Sequence, residues 1–504
     1  MHSGRETTGA QRRRREPERG ALHQVLREHL ATFLVRSNEQ DGPGLPRFVT
    51  RELERALTCG VLAYGFARLR CTQCGQDELV AFSCKGRGFC PSCGGRRMAD
   101  TAAHLVDEVL PEVRVRQWVL SFPYRIRFLL AFDPALCSAV RGIFVRTILD
   151  WLRERGAAAG SPGGSSGAVV LAQRFGGALN LNLHFHALVL DGVYISQGLL
   201  TAPRFQPAPD IRDEDVAHVT AILHRRIVRY LQRRGRLPRD EHAEHDEPVP
   251  DEPLLALLSA ASVEGRVALG PESGQPLTRR GRQRDRRPLL LPGELCCDLE
   301  GFSLHAKVAI EGHDRAGLER LCRYIARPAI ASERLSIDPD GRVVYRLRRA
   351  WRDGTSAIVF EPLVFLERLA ALVPRPRAHL LTYHGVLAPA AQWRDQIVPG
   401  PRAPTESHHG STEHNAGCSG SGSPDFPAAL SNPARTRRLR WADLLRRVFA
   451  VDVLTCPDCG GARRLIAMIT DGLVVRRILD HLELPSTAPA IAPARAPPEP
   501  EFAW

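Results

Sequence analysis

The segment Asn180–Gly192 reads NLNLHFHALVLDG. Alternate strand positions face the same side, so Asn180, Asn182, His184 and His186 share one face, while Leu181, Leu183, Phe185, Ala187 and Val189 share the other. Cβ atoms two residues apart on a strand lie roughly 6.5–7 Å from each other, which lets both imidazoles reach one divalent ion. Two ligands leave open positions on the ion, the arrangement of a catalytic rather than a structural metal. Asn182 could add an oxygen. A two-residue turn at Gly176-Gly177 would pair Gln173 near Asn180, far from His184, so the third ligand stays open. A solvated face with incidental histidines is the bland alternative.

A second constellation is Cys71-Thr-Gln-Cys74 and Cys90-Pro-Ser-Cys93, two CxxC pairs fifteen residues apart. The spacing fits a closed tetrahedral zinc site of the ribbon or knuckle type, whose work is to fold a small module. Gly75, Gly94 and Gly95 follow the pairs, as tight turns of this kind require. Cys84 is a fifth candidate ligand. Lys85 and Arg87 lie in the intervening loop and would present the module to nucleic acid. Cys456-Pro-Asp-Cys459-Gly-Gly resembles half of a second site, with no matching pair after it.

The third is a tyrosine. In DRAGLERLCRYIARP, Leu318, Leu321, Cys322 and Ile325 make a buried helical stripe. Tyr324 falls about 110° from the centre of that stripe. Arg320, Arg323 and Arg327 take the opposite side. A phenol beside a cation can become a nucleophile, and an ion held by two histidines can polarise a phosphate.

Elements must hold these groups. Helical patterns run over 21–35, 50–59, 98–110, 134–155, 213–236, 314–326 and 362–372. Residues 113–132 carry β-type runs interrupted by Pro123, and 168–175, 178–190 and 302–310 read as strands. A hairpin over 334–347 turns at Asp340-Gly341. Residues 1–20 read as a basic arm, 21–110 as a helical and zinc-binding domain, and 111–395 as a catalytic domain. An acidic loop (238–253) and a basic one (278–288) interrupt the latter. Residues 396–435 read as a disordered linker, 436–484 as a small C-terminal unit, and 485–504 as a disordered tail.

The chain has 504 residues, 43% hydrophobic and 25% charged, with 69 Lys and Arg against 56 Asp and Glu. A net charge of +13, mostly arginine, points to nucleic acid before an anionic membrane surface. No apolar run reaches the roughly 20 residues of a spanning helix, and the N-terminus lacks a secretory h-region. Thirteen cysteines without such a signal suggest a reducing compartment, so the expected location is cytoplasmic and nucleoid-associated.

The stretches SCKGRGFCPSCGGRRMAD (83–100), LNLHFHALVLDGVY (181–194), RLCRYIARPAIASERLS (320–336) and YHGVLAPAAQWR (383–394) carry a resemblance. The sequence resembles the HUH (His-hydrophobe-His) tyrosine transposases of rolling-circle insertion sequences that have an N-terminal zinc-binding domain. The resemblance implies an α+β fold, a central antiparallel sheet with flanking helices, preceded by the zinc-binding domain. It implies nicking and joining of single-stranded DNA at the ends of a mobile element, through a 5′-phosphotyrosine and a free 3′-OH. By it, His184 and His186 hold Mg²⁺ or Mn²⁺, Tyr324 is the nucleophile, and zinc is structural. Some relatives carry two tyrosines four residues apart. Here that position is Pro328, and Tyr324 stands alone. A lone nucleophile is compatible with a homodimer or with sequential reuse. Two other functions share the positive charge: a non-catalytic zinc-dependent DNA-binding regulator, and a metal-dependent phosphodiesterase.

Overall fold

A computed structural model describes residues 16–39, 43–198, 201–238, 251–282, 293–400 and 454–496. The expectations for residues 1–15, most of the acidic loop, the end of the basic loop, residues 401–453 and the last eight residues lie outside them. The fold is α+β, with antiparallel sheets.

The central sheet runs in the order Leu381–Gly385, Gly167–Phe175, Leu181–Leu190, Val115–Ser121, Phe302–His305, Cys296–Leu299, with Ala309–Ile310 also on Val115–Ser121. Leu181–Leu190 sits in the middle of the chemistry-bearing part, between Gly167–Phe175 and Val115–Ser121. Phe185, Leu183, Ala187 and Val189 pack with Trp118, Leu120 and Phe122 under the helices Tyr124–Phe132, Pro134–Ala158 and Asp213–Arg233. The opposite face is covered as well. Leu188 and Leu190 meet Leu318, Leu321, Cys322 and Ile325 of the helix Arg315–Ile325, and Ala102 of the helix Pro91–His104, which continues as a π-turn over Leu105–Val109. The sheet is thus the middle of three layers.

Two local readings change. The β-type runs of 113–132 divide at Pro123: Val115–Ser121 is a strand, and Tyr124–Phe132 is a helix whose first residue follows the proline. A proline breaks the ladder yet is tolerated at a helix start. The turn at Gly176-Gly177 is also longer than two residues. It spans 176–180, closed by Gly176 N–H to Asn180 C=O at 2.9 Å, with Leu179 at φ +58°. Asn180 therefore belongs to the turn, and Gln173 pairs directly with His184 instead of lying near Asn180.

A third core joins the helices Ala21–Asn38, Arg47–Thr58, Pro253–Glu264 and Pro362–Leu372 to the four-stranded sheet Leu335–Ile337, Val343–Arg346, Ala357–Phe360, Thr278–Arg280. The hairpin turning at Asp340-Gly341 lies here, with Gly341 at φ +80°. Finally, Arg463–Ile469 pairs antiparallel with Phe66–Cys71, which pairs with Asp77–Ala81. The C-terminal residues, read from sequence as a unit of their own, complete an N-terminal sheet. No single helix among the described residues is long and apolar enough to cross a membrane.

Phe185 is fully buried and packs edge-on against Phe122 and stacked against Phe144, at 5.3 and 6.0 Å between ring centroids. Phe185→Ala should therefore cost about 3–5 kcal/mol of stability. Chemical denaturation of the purified variant checks this, and a loss under about 1 kcal/mol would contradict the packing.

Candidate active site and zinc clusters

His184 and His186 project from the sheet face that carries the helix Arg315–Ile325. Their rings are 4.9 Å apart. The Nδ1–H of His184 is placed to donate to the Asn182 carbonyl at 2.8 Å, which fixes the tautomer and leaves an Nε2 lone pair. His186 Nδ1 lies 2.8 Å from the Gln117 amide. The atom placed there is the amide Nε2, whose N–H donates to Nδ1; turning the amide by 180° would let Nδ1 donate to its oxygen instead and leave the imidazole Nε2 as a free lone pair. His186 Nε2 and Asn182 Oδ1 are both buried with no hydrogen-bond partner. Two imidazole nitrogens and an amide oxygen suit a divalent ion. Among the described residues, no third His, Cys, Asp or Glu joins them.

The tyrosine arrives on a helix anchored at both ends. At its start, Asp314 caps Gly317 N–H at 2.7 Å, and the Arg315 guanidinium donates to the Val106 and Leu110 carbonyls where the π-turn that ends the helix Pro91–His104 stops. At its finish, Gln173 Nε2 donates to the Ile325 carbonyl at 3.0 Å. Gln173 pairs with His184, so one side chain ties the histidine strand to the residue after Tyr324. The apolar stripe behaves as its spacing demands: Leu318, Leu321, Cys322 and Ile325 are buried, while Tyr324 is 43% exposed.

The Tyr324 ring meets His186 edge-on, 6.2 Å between centroids and 89° between planes. The Arg327 guanidinium lies 4.8 Å from the centre of the Tyr324 ring and 5.6 Å from that of Phe175. The other two arginines stand elsewhere. Arg323 forms an ion pair with Glu319 at 2.6 Å, and Arg320 is exposed near Asp314. Lys85 is exposed in the left-handed region, at φ +56°. Arg87 is engaged by the Ala378 carbonyl. Gln117 and Arg127, whose charge acts on His184, escaped sequence reasoning, while Gln173 was considered there and misplaced. A lone Gln or Arg in a strand or helix carries no signal until the register is known.

The cysteines divide differently from their spacing. Cys71 and Cys74 do not share a site with Cys90 and Cys93. One quartet is Cys59, Cys84, Cys90 and Cys93; the other is Cys71, Cys74, Cys456 and Cys459. The antiparallel pairing of Phe66–Cys71 with Asp77–Ala81 and Arg463–Ile469 sends the first CxxC turn to the end of the sheet where the C-terminal CxxC turn lies. Cys59, at the end of a helix and with no CxxC partner, was invisible to a spacing argument. In the first quartet Sγ separations are 3.8 Å for Cys59–Cys93, 3.4 Å for Cys84–Cys93 and 3.6 Å for Cys59–Cys90. Four sulfurs at about 2.3 Å from one zinc lie about 3.8 Å apart, so the quartet suits a structural Zn²⁺. The hydrogen bond with Cys84 draws the Cys59 thiol down to about 7, and contact with Cys59 pushes Cys84 and Cys90 up.

This quartet bears on the tyrosine. Cys90 and Cys93 open the helix Pro91–His104, which packs against Arg315–Ile325. At the crossing, a Cβ on Gly94 would stand 2.6 Å from Cβ of Pro328. The zinc-bearing turn and the segment after Tyr324 are in glycine-only contact.

Burial lowers His184 to about 4, opposed by its bond to Asn182 and reinforced by Arg327 and Arg127. Burial, then His184 and Arg327, lowers His186 to about 3. Both imidazoles are neutral at neutral pH, the form that binds metal. Unfolded imidazoles titrate near 6.5, so as pH falls from there toward about 4 the unfolded chain takes up protons that the folded chain refuses, and stability falls. Metal-free protein should lose stability across that window more steeply than His184→Asn/His186→Asn. Equal slopes in pH-resolved denaturation would refute the burial argument.

Residues 25–122 match a family model described as "Transposase zinc-binding domain", and residues 167–394 match one described as "Putative transposase". No curated protein and no solved structure matches the chain. The first match contains the whole Cys59, Cys84, Cys90, Cys93 quartet, and the second spans His184, His186 and Tyr324. With a zinc-binding module followed by a transposase domain, the chain belongs to the IS91 family of transposases, enzymes whose partner is DNA.

Proposed function

We propose that this transposase nicks and joins single-stranded DNA at the ends of its element through Tyr324, in rolling-circle-type transposition. The observation that carries the reading is the edge-on approach of the Tyr324 ring to His186, 6.2 Å between centroids, with Arg327 against the same ring. A core tyrosine would lie in the buried stripe of its helix. This one is held out of the stripe, beside two neutral imidazoles and a cation.

His184 and His186 would hold Mg²⁺ or Mn²⁺, with Asn182 Oδ1 as the third protein ligand. Bound there, the ion would supply Lewis-acid polarisation of the scissile phosphate. Tyr324 Oη attacks phosphorus, the bond from phosphorus to O3′ breaks, and the phenolic proton is lost to solvent as the leaving oxygen is protonated. The products are a 5′-phosphotyrosine and a free 3′-OH, so the phosphoester bond is conserved for rejoining. Arg327 supplies positive charge next to the attacking phenol and steadies its ionised form. The surplus of arginine serves the DNA backbone, and contacts of that kind weaken steeply with salt. Reuse of the lone Tyr324, or a homodimer, would complete a two-strand reaction.

Purified protein with Mn²⁺ and labelled single-stranded DNA from the element's end should form an SDS-resistant adduct. Tyr324→Phe should abolish it, and His184→Ala should reduce it at least 100-fold, about 2.7 kcal/mol of barrier. An adduct surviving in Tyr324→Phe would remove the assigned nucleophile. Hydrolysed product without adduct would favour a phosphodiesterase, and DNA binding without cleavage a regulator.

The contact between Gly94 and Pro328 adds a separate expectation. Gly94→Ala should slow adduct formation about tenfold or more while zinc content stays unchanged, because the added methyl displaces the segment after Tyr324. Wild-type rates in that variant would show that the zinc helix does not set the position of the tyrosine.

A further inference from the structure

The quartet Cys71, Cys74, Cys456 and Cys459 lies partly outside both family matches, since its second pair is at the C-terminal end of the chain. We infer that it is a second zinc site, and that its ion is the clasp holding the C-terminal residues 454–484 onto the N-terminal module.

The two halves are built alike. In each, Cys-x-x-Cys is followed by a glycine at φ +73°, Gly75 and Gly460. Gly75 N–H donates to Cys71 C=O at 3.1 Å, and Gly460 N–H to Cys456 C=O at 2.9 Å. Cys71 N–H reaches Gln76 C=O and Cys456 N–H reaches Gly461 C=O, both at 2.8 Å. These are two copies of one knuckle, each turning two sulfurs the same way. They face each other, with Cys71–Cys459 Sγ atoms at 3.4 Å and Cys74–Cys456 at 3.7 Å. A disulfide needs about 2.05 Å, so these are packed thiols, and their separations match the edges of a zinc–thiolate tetrahedron.

Among the described residues, few other contacts hold the C-terminal part in place. Its buried apolar contact with the N-terminal module consists of Val475 and Leu479 against Leu62 and Phe66. Added to this are partly buried Leu79, Ala81, Ile469, Ile478 and Leu484, the strand ladder of Arg463–Ile469 on Phe66–Cys71, Arg463 with Gln76 at 3.2 Å and Glu78 at 3.8 Å, and Thr72 on the Ala462 carbonyl at 3.0 Å. A cluster of four buried residues is far below what an independent fold of this size requires, and small modules of this kind depend on their metal. Cys74 and Cys459 are exposed, whereas all four cysteines of the other quartet are buried. The clasp ion is therefore the one a chelator reaches first.

Elemental analysis of the full-length protein should find two zinc ions per chain, and one in Cys456→Ser/Cys459→Ser. In that variant, amide exchange should quicken at Phe66–Cys71, which has lost its outer neighbour, and stay slow in Pro91–His104. Cys74→Ser approaches the clasp from the other side and should quicken exchange at Arg463–Ile469, so the result does not rest on one variant. Chelation of the wild type should release one ion early, with the same exchange signature. One ion per wild-type chain, two ions retained in the double variant, or loss of an ion with both strands still protected would overturn the inference. No DNA enters these measurements, so their failure leaves the transposase chemistry standing, and failure of that chemistry leaves the clasp standing.

Discussion

A slip of one residue in Leu181–Leu190 against its neighbours would turn His184 and His186 into the aromatic layer and Phe185 toward Tyr324. Everything at the site depends on that register. It is held because both faces of the strand are buried: Phe185 among Phe122 and Phe144 on one side, Leu188 against the tyrosine helix on the other. A buried bidentate pair between Arg116 and Asp191, at 2.8–3.2 Å, pins Val115–Ser121 to the residue just past the strand. Removing Asp191 would leave the Arg116 charge buried and unpaired, so the pair selects this register against shifted ones. Gln173 then passes the register on to the helix through the Ile325 carbonyl.

The zinc module is structural, and on the proposed chemistry its placement would give it a mechanical part. A closed thiolate site cannot bind substrate. Its first-quartet ligands Cys90 and Cys93 nevertheless begin the helix that carries Gly94 onto Pro328. The tyrosine helix is thereby caught between the sheet on one side and a metal-fixed helix on the other. A nucleophile displaced by about 1 Å loses much of its advantage, so on the proposed chemistry rigid support from a metal-organised element would have direct value at Tyr324.

The sequence made the alternation of the central strand, the stripe of the tyrosine helix and the presence of zinc legible, because each is a local period or spacing. Leu318, Leu321, Cys322 and Ile325 are buried as a 3.6-residue period requires, and Phe185 and its alternates as a period of two requires. What it hid depends on contacts distant in sequence. Cys59 has no CxxC partner, and Cys456 meets Cys74 only because a strand nearly four hundred residues later pairs beside Phe66–Cys71. The two CxxC pairs looked like one site since spacing assumes that neighbours in sequence close together. Gln173 was misplaced for a local reason: Leu179 adopts a left-handed conformation that glycine-based turn rules assign to Gly176 or Gly177, and the longer turn shifted the register.

Pro328 stands where a second tyrosine would lie in some relatives, and the packing explains why this position suits a proline here. The helix has ended at Ile325, so a residue with its φ fixed and no amide donor interrupts nothing. Its ring lies against Gly94, where a phenol would collide with the zinc-bearing helix. Two other tyrosines offer no substitute. Tyr194 is buried beside Phe205, and Tyr230 packs in the layer on the far face of the sheet. On the proposed chemistry, once Tyr324 is esterified neither Tyr194 nor Tyr230 can take its place at the ion site. The free 3′-OH of the cleaved strand, or of an incoming one, is then the group left to attack the phosphotyrosine. That attack regenerates the phenol, and it needs no water because the phosphoester energy is still stored in the protein–DNA bond.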